Sequence, residues 1–168
     1  MQPIPLKLQY PDPIINELKR ISTRTTFAYI QYSPGVAVFS EEVPGKADQQ
    51  LGFTSINTIK IEGLCPKDLI PFVLRYNIVN IKPGDIITRH KDKTRTCSLY
   101  FPILPEKNYS PLCFEDSEIH NDGKIWLIDH EEWHWVDNSK GTDRYNLQIG
   151  FSKTADEMKE ILNGMGLI

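Results

Sequence analysis

The sequence predicts a mainly β domain, a sandwich or jelly roll of short strands with a few flanking α-helices. Three observations carry this expectation. Most of the chain alternates apolar and polar residues with period two, clusters of Gly, Pro, Asn and Asp separate the alternating runs, and helix signals are few. A chain of 168 residues suits one such domain, with residues 1–72 as supporting helix and strands, 73–151 as the β core and 152–168 as a closing helix.

The elements follow in order. Asp12 before Pro13 reads as an N-cap and a first helical proline, opening a helix over 13–21 with Ile14, Ile15, Leu18 and Ile21 on one side. Strands are expected at 26–32 and 36–40, on either side of Ser33-Pro34-Gly35, and at 53–61 beyond Pro44-Gly45. Pro66 to Phe72 holds a turn or two of helix. Strands 73–81 and 85–90 flank the turn Lys82-Pro83-Gly84-Asp85, and strands 96–103 and 111–115 follow. Asn121-Asp122-Gly123 turns the chain into 124–129 and 132–136, and Asn138 to Gly141 turns it into a last strand, 144–151. Thr154 and Glu157 form a T-x-x-E capping box before Met158, Ile161, Leu162 and Met165, which predicts a C-terminal helix.

Composition mainly excludes. Apolar residues make up 40% and charged residues 24%, the balance of a soluble globular protein rather than a disordered or fibrous one. With 19 Lys and Arg against 22 Asp and Glu, and no basic run, a nucleic-acid partner is disfavoured. No apolar stretch approaches a membrane span, and the proline-rich first residues contain no signal-peptide core. Three cysteines without a CxxC spacing point to reduced thiols, hence a cytoplasmic protein, and Cys97 above all reads as a small core residue.

Two strands carry an unusual division of faces. On 144–151, Arg144, Asn146 and Gln148 point one way and Tyr145, Leu147, Ile149 and Phe151 the other. On 96–103, Thr96, Ser98 and Tyr100 oppose Cys97, Leu99, Phe101 and Ile103. Amides, hydroxyls and a single Arg are poor material for a solvated face and good material for the lining of a polar cavity. The apolar faces would then pack outward on a second layer.

The four histidines are the chemical candidates, and three of them are followed two residues later by an acid: His90-Lys91-Asp92, His120-Asn121-Asp122 and His130-Glu131-Glu132. His120 belongs to a turn sequence, and His130 falls at a strand junction that reads as a solvated corner. His90 and Asp92 differ, because a strand delivers them after a Pro-Gly turn and residues two apart on extended chain project to one side. His134 stands 44 residues after His90 in Trp133-His134-Trp135-Val136, facing away from two tryptophans that read most simply as core packing, with a substrate-rim role as the alternative. Two histidines and one carboxylate make the facial triad of non-haem Fe(II) sites, with coordination positions left open. Arg144 begins the last strand ten residues after His134, on its polar side, where a guanidinium requires an anion.

His90, Asp92, His134 and Arg144, in this order and spacing, resemble the 2-oxoglutarate- and Fe(II)-dependent dioxygenases, closest to the prolyl and aspartyl/asparaginyl hydroxylase branches. The framing segments Lys82-Pro83-Gly84-Asp85 and His134-Trp135-Val136-Asp137-Asn138 are similar too, and the likeness covers roughly 73–151. Aspartyl hydroxylases of one branch lack the carboxylate ligand, and Asp92 departs from that pattern. The resemblance implies a double-stranded β-helix with Fe(II) held by His90, Asp92 and His134 between two sheets. It implies 2-oxoglutarate chelating the iron with its far carboxylate on Arg144, O2 at the remaining position, and hydroxylation of an amino-acid or protein side chain with release of succinate and CO2.

Further cosubstrate contacts are expected from Arg95, Tyr100, Ser98, Asn80 and Asn146, with no catalytic residue beyond the metal ligands; Asn138 is expected to shape its turn. Two other readings stay open. One is a non-catalytic jelly-roll module binding sugar or peptide, in which the His-x-Asp is incidental or holds a structural metal. The other is a cupin metalloenzyme, although the tight His-x-His cluster usual there is absent. The sequence leaves substrate identity and oligomeric state open, and residues 1–65 carry no interpretable motif.

Overall fold

The computed structural model describes residues 1–23, 28–33, 36–41 and 58–168, with backbone alone for 28–33, 36–41 and 58–60. The chain runs β1 (Ile4–Pro5), α1 (Asp12–Ser22), β2 (Ala28–Ser33), β3 (Val36–Glu41), β4 (Thr58–Glu62), a 3₁₀ turn (Lys67–Phe72) and β5 (Val73–Ile81). It continues with β6 (Ile86–His90), β7 (Cys97–Leu104), β8 (Leu112–Phe114), β9 (Glu118–Ile119), β10 (Trp126–Asp129), β11 (His134–Asp137), β12 (Arg144–Phe151) and α2 (Ala155–Gly164). The protein is mainly β, as the alternation predicts.

The strands form two antiparallel sheets. The larger has eight strands in the order β1-β10-β7-β12-β5-β2-β3-β4, and the smaller has four, β6-β11-β8-β9. Neither sheet closes on itself. The expected strands at 73–81 and 144–151 are β5 and β12 with the same ends. The expected strands 26–32 and 53–61 are described only from Ala28 and Thr58 on, so their first residues lie outside the described residues. Two short strands have no signal in the sequence: β1 pairs with β10 through Ile4 and Pro5, and β9 pairs with β8. Two residues are too few to show a period.

Both expected helices form, but only α2 starts at its expected cap. Thr154 caps α2 with both halves of the capping box in place, its hydroxyl accepting from the Glu157 N–H at 3.2 Å and the Glu157 carboxylate accepting from the Thr154 N–H at 2.8 Å. At α1 the expectation shifts by one residue: Asp12 is already helical, and the cap position is Pro11, which makes no side-chain capping bond. Asp12 in the first turn still favours the helix through its dipole.

The larger sheet has two different neighbours. Its outer face and the helices enclose the main core, with Leu99, Phe101, Leu147, Ile149 and Phe151 packed against Leu18 and Ile21 of α1 and Met158 and Leu162 of α2. Its inner face meets the smaller sheet across a lesser cluster of Ile81, Tyr100, Leu112, Phe114, Ile119, Ile128 and Val136. The alternation of β12 and β7 sorts between these layers as the sequence predicts: Leu147 pairs with Phe101 and Ile149 with Leu99 on the outside, Gln148 with Tyr100 on the inside. Cys65, Cys97 and Cys113 are free and buried, as read. The two tryptophans are not core residues: Trp133 is 40% exposed and stacks under Arg89 and Lys91, while Trp135 lines a cavity. Among the described residues no helix is long and apolar enough to cross a membrane.

Candidate metal and anion site

Between the two sheets lies a cavity of about 480 Å³. Three side chains of mixed type converge on its wall: ligand atoms of His90, Asp92 and His134 all lie within 4.8 Å of one another. Strand pairing produces this. His134 on β11 is the direct cross-strand partner of His90 on β6, and their rings sit 4.3 Å apart. The register shifts between His134 and Val136, so an extra residue is accommodated on β6 just before His90, a bulge that re-aims the strand end. Asp92 follows beyond β6, where its backbone N–H donates to the His130 carbonyl at 2.9 Å.

The donor set suits a divalent transition metal. Nδ1 of His90 donates to the Thr88 carbonyl at 2.7 Å, and Nδ1 of His134 donates to the Glu132 carbonyl at 2.8 Å. That network assigns the tautomer, leaving the Nε2 lone pair of each ring for a ligand, as in metal sites whose imidazoles are oriented from behind. Oδ1 of Asp92 is 3.3 Å from Nε2 of His90, close to the roughly 3 Å between neighbouring ligands of an octahedral ion with bonds near 2.1 Å. Burial lowers the pKa of His134, so it stays neutral and able to ligate at neutral pH.

His130 is buried rather than on a solvated corner, only 3% exposed. Its backbone donates to the Thr96 carbonyl at 3.0 Å while its carbonyl holds Asp92, which pulls the segment inward. The Ser98 hydroxyl donates to Nε2 at 2.7 Å, and Nδ1 stands 2.9 Å from Oδ2 of Asp92, out of line for a straight hydrogen bond. His130 beside Asp92 nevertheless holds its carboxyl at about 2, against the opposing effect of burial. Ser98, expected on the cosubstrate, thus has its hydroxyl engaged by His130, and it acts on the site through Asp92. The sequence signal was present, since His130 is followed two residues later by an acid. What decides its burial is backbone pairing with residues far along the chain.

Arg144 lies at the other end of the inner face, 1% exposed. Nε donates to the Ser110 carbonyl at 2.7 Å, Nη1 to Oδ1 of Asn146 at 2.9 Å and Nη2 to the Tyr100 hydroxyl at 2.5 Å. Tyr100 shares a 2.7 Å hydrogen bond with Tyr109, and the guanidinium lies 4.4 Å from the Tyr109 ring centre. Sequence reading missed Tyr109 and Ser110, which come from an irregular segment without periodicity. These three acceptors are all neutral, and among the described residues no carboxylate reaches Arg144 within 4.0 Å. A buried guanidinium with only neutral partners around it would favour an anion beside it. The Asn146 Nδ2, buried without a partner beside it, is a second donor of the same kind.

Arg95 lines the cavity and donates to Oε1 of Gln148 at 2.9 Å. Asn80 departs from the expectation. It belongs to the cavity wall, yet its register partner is Tyr145, so its side chain points with Tyr145 to the outer face, away from Arg144. Its Oδ1 is buried without a partner there. Asn138 shapes its turn as expected: Nδ2 is shared among the carbonyls of Ile81, Lys82 and Thr142, and Oδ1 accepts from Ser110. A Cβ on Gly141 would stand 1.9 Å from that Oδ1, so only glycine fits.

Compared with known proteins, the chain matches no family model and no curated protein.

Proposed function

We propose that the protein is a 2-oxoglutarate- and Fe(II)-dependent dioxygenase that hydroxylates an amino-acid or protein side chain, on a fold read as a double-stranded β-helix. The observation that carries this is the pairing, around one cavity between the sheets, of a two-histidine, one-carboxylate group with a buried arginine that has no carboxylate within reach among the described residues. A structural metal alone would leave Arg144 without purpose, and a sugar- or peptide-binding module would have no need of both.

His90, Asp92 and His134 would hold the iron, which when bound supplies oxygen activation coupled to decarboxylation of the ketoacid. The chain's own work is positioning. A site with three protein ligands would leave coordination positions open for the cosubstrate. Arg144 and Asn146 would take the far carboxylate of the ketoacid, with the Tyr100 hydroxyl fixing the guanidinium, so that one pose is held. His130 keeps Asp92 ionised and oriented.

The test is anaerobic addition of Fe(II) and 2-oxoglutarate, followed by the weak visible absorption of a chelated ketoacid. The band is expected in the native protein and lost in His134→Ala. In Arg144→Ala, 2-oxoglutarate affinity should fall far more than Fe(II) affinity. Absence of the band, its survival in His134→Ala, or equal loss of both affinities in Arg144→Ala would reject the proposal.

A further inference from the structure

The two tyrosine hydroxyls beside Arg144 carry one proton more than their described neighbours accept. Tyr100 and Tyr109 share a 2.7 Å hydrogen bond, which uses one of their two O–H protons. The bond from Nη2 of Arg144 to the Tyr100 oxygen, at 2.5 Å, uses neither, because a guanidinium only donates. Neither hydroxyl has a further acceptor among the described residues. One O–H is therefore left over, and the direction of the bond between the tyrosines decides which ring carries it.

Burial decides that direction. If Tyr100 donates to Tyr109, the spare proton sits on Tyr109, which is buried and is not among the residues lining the 480 Å³ cavity. A buried donor without an acceptor is costly there. If Tyr109 donates to Tyr100, the Tyr100 oxygen accepts twice, and its own O–H can turn into the cavity that Tyr100 lines. Burial also pushes the Tyr109 pKa well above its ordinary value, so Tyr109 keeps the proton that it donates. The same corner holds other spare donors. A guanidinium has five N–H groups, and the three hydrogen bonds of Arg144 use one on each nitrogen, so Nη1 and Nη2 each keep a second. The Asn146 Nδ2 is buried without a partner. Spare donors of this kind suit a ligand end that only accepts, a carboxylate rather than a carboxamide.

We propose that Tyr109 is a positioning residue of this anion site: its hydroxyl turns the Tyr100 proton into the cavity, where it meets a carboxylate beside Arg144. This rests on the reading of Arg144 as the carboxylate end of the ketoacid site. Tyr109 touches no ligand itself. Its donation to Tyr100 polarises that hydroxyl and fixes its rotor, so Tyr100 donates more strongly. The Tyr109 ring does a separate job, since the guanidinium lies 4.4 Å from its centre and is held by its face. Tyr109→Phe separates the two, because it removes the hydroxyl and keeps the ring.

The test uses metal-free protein and glutarate, the ketoacid without its keto group, so that no readout depends on iron. NMR titration reports binding, with the Arg144 Nε–H signal, hydrogen-bonded to the Ser110 carbonyl, as the local probe. The native protein should bind glutarate at least about tenfold more tightly than its uncharged diamide. Tyr100→Phe should weaken glutarate by about tenfold or more and Tyr109→Phe by about three- to tenfold, with Fe(II) affinity unchanged in both. In Tyr100→Phe protein the further change Tyr109→Phe should add no loss, because its hydroxyl has nothing left to act through. A role in packing alone would give equal losses in both backgrounds. That result, native-like glutarate binding in Tyr109→Phe, or no glutarate binding to the native protein would overturn the proposal. Glutarate bound through the tyrosine pair without a ketoacid band would reject the oxygenase reading alone. A normal band with native-like glutarate binding in Tyr109→Phe would reject only the role of Tyr109.

Discussion

The two faces of the eight-stranded sheet are built from alternate residues of the same strands, but they are filled by opposite rules. On the outer face, Leu147, Ile149, Leu99 and Phe101 meet the helices in a dense apolar layer. On the inner face the same strands present Arg144, Asn146, Gln148 and Tyr100 to one cavity and Ser98 to a neighbouring one, and the apolar cluster behind them is small. The difference teaches where stability and chemistry reside. The outer face contributes most of the burial that holds the fold, at roughly 25 cal/mol per Å² of apolar surface. The inner face carries buried polar groups, among them the unpartnered Asn146 Nδ2, at some cost in stability.

The largest contrast should come from truncating Leu147 on the outer face of β12 and His134 on β11, which faces the cavity from the smaller sheet. Leu147→Ala is expected to destabilise the protein by about 2–5 kcal/mol in denaturant unfolding while leaving metal affinity of the folded fraction unchanged. His134→Ala should do the reverse. Comparable stability losses for both would erase the distinction between the outer core and the cavity.

A finer cut uses His130, which is buried but does not belong to the triad. His130→Ala should weaken metal binding by about 10–100-fold, the range for a residue that orients a ligand from behind. It should also change acid stability. In the folded protein Asp92 titrates near 2, below its ordinary 3.8. A lowered folded pKa contributes stability that is fully present above the unfolded value and is lost as pH falls from about 4 towards 2. After allowance for partial solvent screening this is about 1–2 kcal/mol for the metal-free protein. Acid unfolding curves of native and His130→Ala protein should therefore diverge above pH 4 and converge near pH 2. Superimposed curves would remove His130 from the site.

The smallest effect tests an unpaired polar group on the outer face. Asn80 brings a buried, unpartnered Oδ1 to the side occupied by Tyr145. Asn80→Leu should be neutral or stabilising by about 1 kcal/mol, with ketoacid affinity unchanged. A clear loss of ketoacid affinity would return Asn80 to the inner face.

Legibility in the sequence followed the same division. Residues whose role is fixed by strand alternation could be read directly: the polar row Arg144, Asn146 and Gln148, the apolar row Leu147, Ile149 and Phe151, and the same-side pair His90 and Asp92. The α2 capping box was equally plain, because its contacts are local. What escaped depends on chain segments far apart. His130 looked like a surface corner until Thr96 and Asp92 held its backbone, and Tyr109 and Ser110 gained meaning only once Arg144 was laid against them. The face Asn80 presents is set by its register with Tyr145, which its own neighbours in sequence do not show. Trp133 shows the limit of hydrophobicity as a guide, since its ring lies at the surface beneath two cations.

The position of β6 gives the triad a mechanical meaning as well. This strand is the border of the smaller sheet, hydrogen-bonded to β11 on one side, and its residues are mostly open to solvent. Its last residue, His90, lies opposite His134 on that single neighbour, and Asp92 ties the next turn to the His130 segment. An ion gripped by all three would therefore act as a clasp on the free border of the sheet, fastening it at the end where the chain leaves. Amide hydrogens of residues 86–90 should exchange more slowly with metal bound, while those of β12, sewn between two neighbours, should hardly respond.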